Sequence, residues 1–148
     1  LAARDPRAVV TDDDEAAGRR SDIVCLCSDA AEPLIIDAWI KPGQHISSVG
    51  YAPPGGELDP AIAASRRLFV ETRTAFSAPP AGCAELAGID PVKGTELGEL
   101  LLGRRPGRET PRDVTVYKAM GHAIEDLVVA DMVYRSAVER GAGHRLTL

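Results

Sequence analysis

Asp22-Ile23-Val24-Cys25-Leu26-Cys27 is a near-continuous apolar run of strand length, and its reading decides the fold. A strand with one wet face alternates apolar and polar residues; an unbroken run is the pattern of a strand buried on both faces, as parallel sheets require. Working outward, His45-Ile46-Ser47-Ser48-Val49 reads as a second buried strand ending at Gly50, and Leu68-Phe69-Val70-Glu71 as a third. Ile36 to Ile40 can form a short helix stopped by Lys41-Pro42-Gly43, and Leu58 to Arg67 reads as a helix. Upstream, Asp12-Asp13-Asp14-Glu15 before Ala16 and Ala17 is an acidic helix start, and Ala8-Val9-Val10-Thr11 a short strand. Alternating strands and helices predict an α/β layer with right-handed crossovers.

Beyond Thr72 the pattern loosens into Ala-, Pro- and Gly-rich chain. Cys83 to Leu86 and Glu96 to Leu102 are candidate short helices, and Gly103-Arg104-Arg105-Pro106-Gly107-Arg108 is a basic connector. Its arginines could hold a phosphate, but a solvated loop is the simpler reading. Val114, Val116 and Tyr117 then open a strand-like run. After Gly121 the period changes: Met120, Ala123, Ile124, Leu127, Ala130, Tyr134 and Val138 share one face of a helix about 30 Å long. Glu125 and Asp126 early and Arg140 late suit the macrodipole. This helix is expected to pack on another part of the chain, across the strand ends near Ser28 and Val49.

Composition bounds the function. The 148 residues are 45% hydrophobic and only 4% aromatic, so aliphatic side chains must fill a single core. A net charge of -5 with no basic stripe argues against a nucleic-acid partner. No apolar run spans a bilayer, and Leu1 to Val10 resembles neither a signal nor a transit peptide, so the expected location is cytoplasmic. The chain lacks an initiator Met and opens in mid-pattern, as a piece of a longer protein would. Cys25, Cys27 and Cys83 give no even-numbered disulfide framework and no finger-like ligand spacing; they read as small buried apolar residues, and no metal is expected.

In an open α/β sheet, ligands lie outside the carboxyl ends of the strands. Those ends are Ser28-Asp29, Val49 to Gly56, and Glu71-Thr72. Val49-Gly50-Tyr51-Ala52-Pro53-Pro54-Gly55-Gly56-Glu57-Leu58 is the most unusual of them, a Cβ-poor loop that a flat group could approach closely, although Pro/Gly turns after strands are also common without any ligand. Glu125-Asp126 reads first as a dipole complement rather than an acid/base pair. His45 and His122 have no visible partner for base chemistry.

Several ordered motifs carry a resemblance. Ser21-Asp22-Ile23-Val24, Glu32-Pro33, Trp39-Ile40-Lys41-Pro42-Gly43-Gln44-His45-Ile46, Ser48-Val49-Gly50, Glu57-Leu58, Glu96-Leu97-Gly98-Glu99 and Val114-Thr115-Val116-Tyr117-Lys118-Ala119-Met120-Gly121 with Glu125-Asp126 resemble the ornithine cyclodeaminase/mu-crystallin family, from about Ala16 to Ala137. The resemblance implies the C-terminal half of a Rossmann-type parallel sheet, strands 4-5-6, with a long C-terminal helix. Residues 1-112 would be a partial NAD(P)-binding domain, and 113-148 a strand and closing helix returning to a substrate/dimerisation domain. The first two strands would precede Leu1, leaving the inner edge of Asp22 to Cys27 open and Ala8 to Thr11 standing apart or folded over that edge.

The same resemblance implies NAD or NADP as cofactor, a small amino acid or cyclic imine as substrate, and a homodimer built through the N-terminal domain. Carried over by position, Ser28, Asp29, Ser47, Ser48, Val49, Tyr51, Ala119 and Met120 would contact the cofactor, and Met120 and Gly121 the substrate. Ala52 stands where the cyclodeaminases carry an acid/base Asp, so no catalytic residue is assigned, and ketimine reduction or amino-acid dehydrogenation is favoured over ornithine cyclodeamination; mu-crystallin-like members also lack that Asp. The family's Gly-x-Gly-x-Gln turn and its substrate-holding Lys and Arg do not occur in this chain, which alone is expected to be inactive. The competing reading is a truncated or crystallin-like relative that binds ligand or dimerises without turnover.

Overall fold

The structure is a computed structural model that describes residues 5–144 and 146. Helix α1 (Asp14–Arg20) leads into β1 (Ile23–Leu26), then β2 (His45–Ser48), α2 (Pro60–Ser65), β3 (Arg67–Val70), β4 (Thr95–Glu96), α3 (Leu97–Leu101), β5 (Thr115–Lys118) and α4 (Ala123–Arg140). The helices start where the residues dictate. Asp13 accepts from the Ala16 amide to cap α1, and Asp59 accepts from the Ala61 amide to cap α2, with Pro60 in its first turn. The Glu99 carboxylate accepts from the Glu96 amide at the start of α3.

All five strands are parallel, in the order β1-β2-β5-β3-β4. Of the three strands read from the sequence, β1 and β2 pair in parallel as expected, but β3 does not pair with β2. Strand β5 inserts between β2 and β3, with Ile46 and Leu68 flanking Val116. Strand β5 is covered on both faces, with Thr115, Val116 and Lys118 all buried, as suits the central strand of the sheet. The two-residue β4 beyond β3 has too short an apolar pattern to be read.

Side chains of Leu26, Ile46, Leu68, Val70 and Val116 project to one face of the sheet and meet Ile35, Leu58, Ile62 and Leu86. Each fully buried aliphatic there contributes roughly 1.5 to 3 kcal/mol. The opposite face is covered only in part. Ile23 is 63% exposed, and Cys25 and Cys27 are exposed, correcting their reading as buried residues; Cys83 alone of the three is buried. Strand β1 is an edge strand: among the described residues no strand pairs with its side away from β2. Ala8 to Thr11 forms no strand; Val9 and Val10 stand in solvent without a neighbouring strand.

Helix α4 forms where the period predicted it but does not lie across the strand ends. The chain turns out at Gly121, whose φ is 78°, and no α4 side chain is buried. Besides the predicted face, Val128, Val129, Met132 and Val133 carry apolar surface around much of the remaining circumference. A helix apolar on several sides needs covering from several sides.

Candidate functional site

The parallel sheet brings Ser28, the segment Ser48 to Tyr51, Glu71 and the segment Lys118 to Gly121 to one end of the molecule, the carboxyl ends of β1, β2, β3 and β5. The organising group is Glu57, which is fully buried. Its Oε2 accepts from the amide and hydroxyl of Ser28, both at 2.7 Å. Its Oε1 accepts from the Ser48 hydroxyl at 2.8 Å and from the amides of Val49 at 3.1 Å and Gly50 at 2.6 Å. Burial pushes the Glu57 pKa up, but the bonds from Ser28, Ser48 and Gly50 outweigh it and hold the carboxyl below its ordinary range. One carboxylate thus ties the ends of β1 and β2 together.

A second buried charge stands beside it. Lys118 ends β5 with its side chain fully buried, and its Nζ lies 2.9 Å from Glu85 Oε2. The ammonium donates to Glu85 Oε1 at 3.0 Å, to the Ser48 hydroxyl at 3.1 Å and to the Gly50 carbonyl at 2.5 Å. Glu85 Oε1 also accepts from the Leu58 amide. A buried lysine is tolerable only when paired and hydrogen-bonded in this way. Two glycines make the approach possible: a Cβ on Gly50 would lie 2.1 Å from the Ser28 carbonyl oxygen, and one on Gly56 2.2 Å from the Glu85 carboxyl.

Glu71, at the end of β3, accepts from the amides of Met120 at 3.0 Å and Gly121 at 3.1 Å, and so fixes the turn into α4. Burial, then the negative charges of Glu71 and Glu125, push the Tyr117 phenol up to about 12, so it keeps its proton at neutral pH.

Not all of the residues predicted from the sequence offer a surface to a ligand. Val49 is 48% exposed and Asp29 is exposed, while Ser28, Tyr51 and Met120 are partly so and Gly121 is exposed. Ser48 and Ala119 are buried, and the Ser48 hydroxyl is spent on Glu57 and Lys118. Ser47 pairs with Cys25 and Tyr117 in register, one residue out of step with Ser48, and so projects to the opposite face of the sheet. That face carries an apolar cavity of about 300 Å³ lined by residues including Phe69, Leu97, Leu100 and Tyr117. His45 borders it, its Nδ1 2.8 Å from the Thr115 hydroxyl. Burial and the neighbouring Arg108 guanidinium push its pKa down.

The sequence reading gave no role to Glu57, Glu71, Glu85 or Lys118. The available signal was a lysine closing the apolar run Val114 to Tyr117 and a glutamate at the end of the glycine loop: ionisable groups where burial is required. Two of the basic connector's three arginines are held by backbone carbonyls. Arg108 donates to the carbonyls of Gly43 and Asp113, and Arg105 to that of Val92. Glu125 and Asp126 occupy the first turn of α4, where the dipole favours them.

Comparison with known proteins decides the lineage. The profile of the ornithine cyclodeaminase/mu-crystallin family matches residues 3–141. The chain belongs to this family. Ketimine reductase mu-crystallin of Mus musculus is 37% identical over 117 residues, 78% of this chain and 36% of the mouse protein. Delta(1)-pyrroline-2-carboxylate reductase of Bacillus cereus is 33% identical over 136 residues, 85% of this chain and 40% of its own. The structure of Thermococcus litoralis Delta(1)-pyrroline-2-carboxylate reductase in complex with NADH and L-proline superposes with a TM-score of 0.74 at 30% identity, covering 89% of this chain and 42% of that one. The chain therefore spans less than half the length of these members of the family.

Proposed function

We propose that the intact protein to which this chain belongs is a nicotinamide-dependent reductase of small cyclic imines, or a dehydrogenase of the corresponding amino acids, rather than an ornithine-cyclising enzyme. The observation that carries the reading is the ledge beyond β2. Val49 and Tyr51 present apolar surface at the carboxyl ends of the strands, braced by two buried charges, and by the family resemblance Ala52 stands where the cyclodeaminases carry an acid/base Asp. Relatives that act on a ketimine and on pyrroline-2-carboxylate, one of them solved with NADH, support the same class.

The residues fit the nicotinamide end of such a cofactor. Val49, Tyr51 and Met120 are semi-exposed and apolar, and can wall a flat ring against water. The Ser28 and Ser48 hydroxyls are committed to Glu57, so this chain's contribution is shape rather than donors. Met120 and Gly121, held by Glu71, would border the substrate. When bound, the nicotinamide supplies the hydride. Ala52 cannot carry a proton, so any proton delivered to the imine must come from another group.

The test is to incubate the intact protein with NADH or NADPH and a cyclic imine, Delta(1)-pyrroline-2-carboxylate among them, and follow absorbance at the nicotinamide band. Imine-dependent oxidation, with no ammonia release from ornithine, is expected. Robust ammonia release from ornithine would overturn the assignment.

A further inference from the structure

The two buried charges meet on one residue. The amide of Gly50 donates to Glu57 Oε1 at 2.6 Å, and its carbonyl accepts from Lys118 Nζ at 2.5 Å. The Ser48 hydroxyl joins the two, donating to Glu57 at 2.8 Å and accepting from Lys118 at 3.1 Å. A Cβ on Gly50 would strike Glu57 Oε2 at 2.4 Å as well as the Ser28 carbonyl, so the residue is confined sterically too. Glu57, Ser48 and Lys118 are wholly buried and offer nothing to a ligand directly. The residues on either side of the confined one are Val49 and Tyr51, the apolar ledge.

We propose that Glu57 and Lys118 are positioning residues for the cofactor ledge: holding the donor and acceptor of Gly50 between opposite buried charges, they fix where Val49 and Tyr51 stand against the nicotinamide. The proposal rests on the nicotinamide reading above. A network serving only to hold the sheet would have no need to grip both ends of a residue past the last strand pair. Sites of this kind lose function steeply when a supporting group is removed, because ångström-scale displacement already spoils the contact.

The test separates positioning from stability in the intact protein. Lys118→Met alone leaves Glu85 buried without its cation and is expected to lower the unfolding temperature. Lys118→Met combined with Glu85→Gln removes both charges and keeps an acceptor for the Leu58 amide, so most of that stability should return. Ser48 and the Gly50 carbonyl still lack their donor in the double variant. Its dissociation constant for NADH, by fluorescence titration, and its KM for NADH should rise by about ten-fold or more, with a smaller fall in kcat. Wild-type cofactor affinity in a refolded double variant would overturn the proposal.

Hydrogen exchange of the unmutated protein gives a second reading. The Gly50 amide should be protected as strongly as that of Val116 in the sheet core, and fast exchange at Gly50 would equally overturn the proposal. Because the main readout is cofactor affinity, an unmutated protein that binds NADH yet reduces no imine would overturn the imine-reductase reading alone.

Discussion

At the scale of single residues, the site is built from close approaches that leave no spare volume. Gly50 and Gly98 make a clean contrast. A methyl on Gly50 meets backbone and carboxylate oxygen well inside contact distance, while a methyl on Gly98, in helix α3, meets nothing within 4 Å. Gly50→Ala should cost about 3 kcal/mol or more and lower the unfolding temperature by roughly 10 °C. Gly98→Ala should raise stability by up to about 1 kcal/mol through helix propensity. Parallel thermal melts of the two variants decide the matter, and a harmless Gly50→Ala would mean the Ser28 and Glu57 contacts are not as close as described. Glu57 also sets an acid limit. Its folded pKa lies below the unfolded value of about 4.3. Its stabilisation is therefore complete above that unfolded value and is lost as pH falls through the folded one. Glu57→Gln should be less stable at pH 7 by about 3 kcal/mol and should lack that part of the acid-side slope, which unfolding midpoints measured between pH 2.5 and 7 would show.

At the scale of elements, the strands were legible and their order was not. The runs at Asp22, His45 and Leu68 declare strands because apolar residues without alternation have few alternatives, yet nothing local in them says that the strand at Thr115 will come between the second and third. That fact depends on the return from β4, through α3 and a long connector pinned by Arg108 to the Gly43 carbonyl, and its contacts are 65 residues apart in the chain. Glu57 and Lys118 escaped for a related reason. A buried charge is unreadable until its partner is known: Glu57 draws on Gly50, 7 residues back, and on Ser28, 29 back, and Lys118 on Glu85, 33 back. That Val49 and Tyr51 follow the second strand was legible from the apolar run and the Pro/Gly loop alone. Helix α4 fails in the opposite way: its period predicted the helix correctly, but period alone does not name what the helix packs against. Since none of its side chains is buried, a chain ending at His122 should keep the unfolding temperature of the α/β body within about 3 °C, because surface changes rarely exceed half a kcal/mol. Differential scanning calorimetry of the two chains checks this, and a large loss would show that α4 docks on the sheet after all.

At the scale of the whole molecule, a nicotinamide dinucleotide has two demands, an apolar wall for its ring and donors for its charged pyrophosphate. In the proposed reading, Val49, Tyr51 and Met120 of the 148-residue chain would supply the first. For the second the chain offers no Gly-x-Gly-x-Gln turn, and of the connector's three arginines Arg105 and Arg108 are bonded to backbone carbonyls. Pyrophosphate binding in dinucleotide folds draws on backbone amides at a helix start as well as on charge. Here the amides at the relevant strand ends, Ser28, Val49 and Gly50, already point at Glu57, whose negative charge would repel phosphate. The ring contact that remains is too small to bind tightly, since small contacts must first overcome the loss of translational and rotational freedom. The chain by itself should therefore show no saturable NADH or NADPH binding at micromolar concentration in a fluorescence titration, while the intact protein should bind. Tight binding by the isolated chain would place the phosphate grip within these residues and require a different cofactor path across the strand ends.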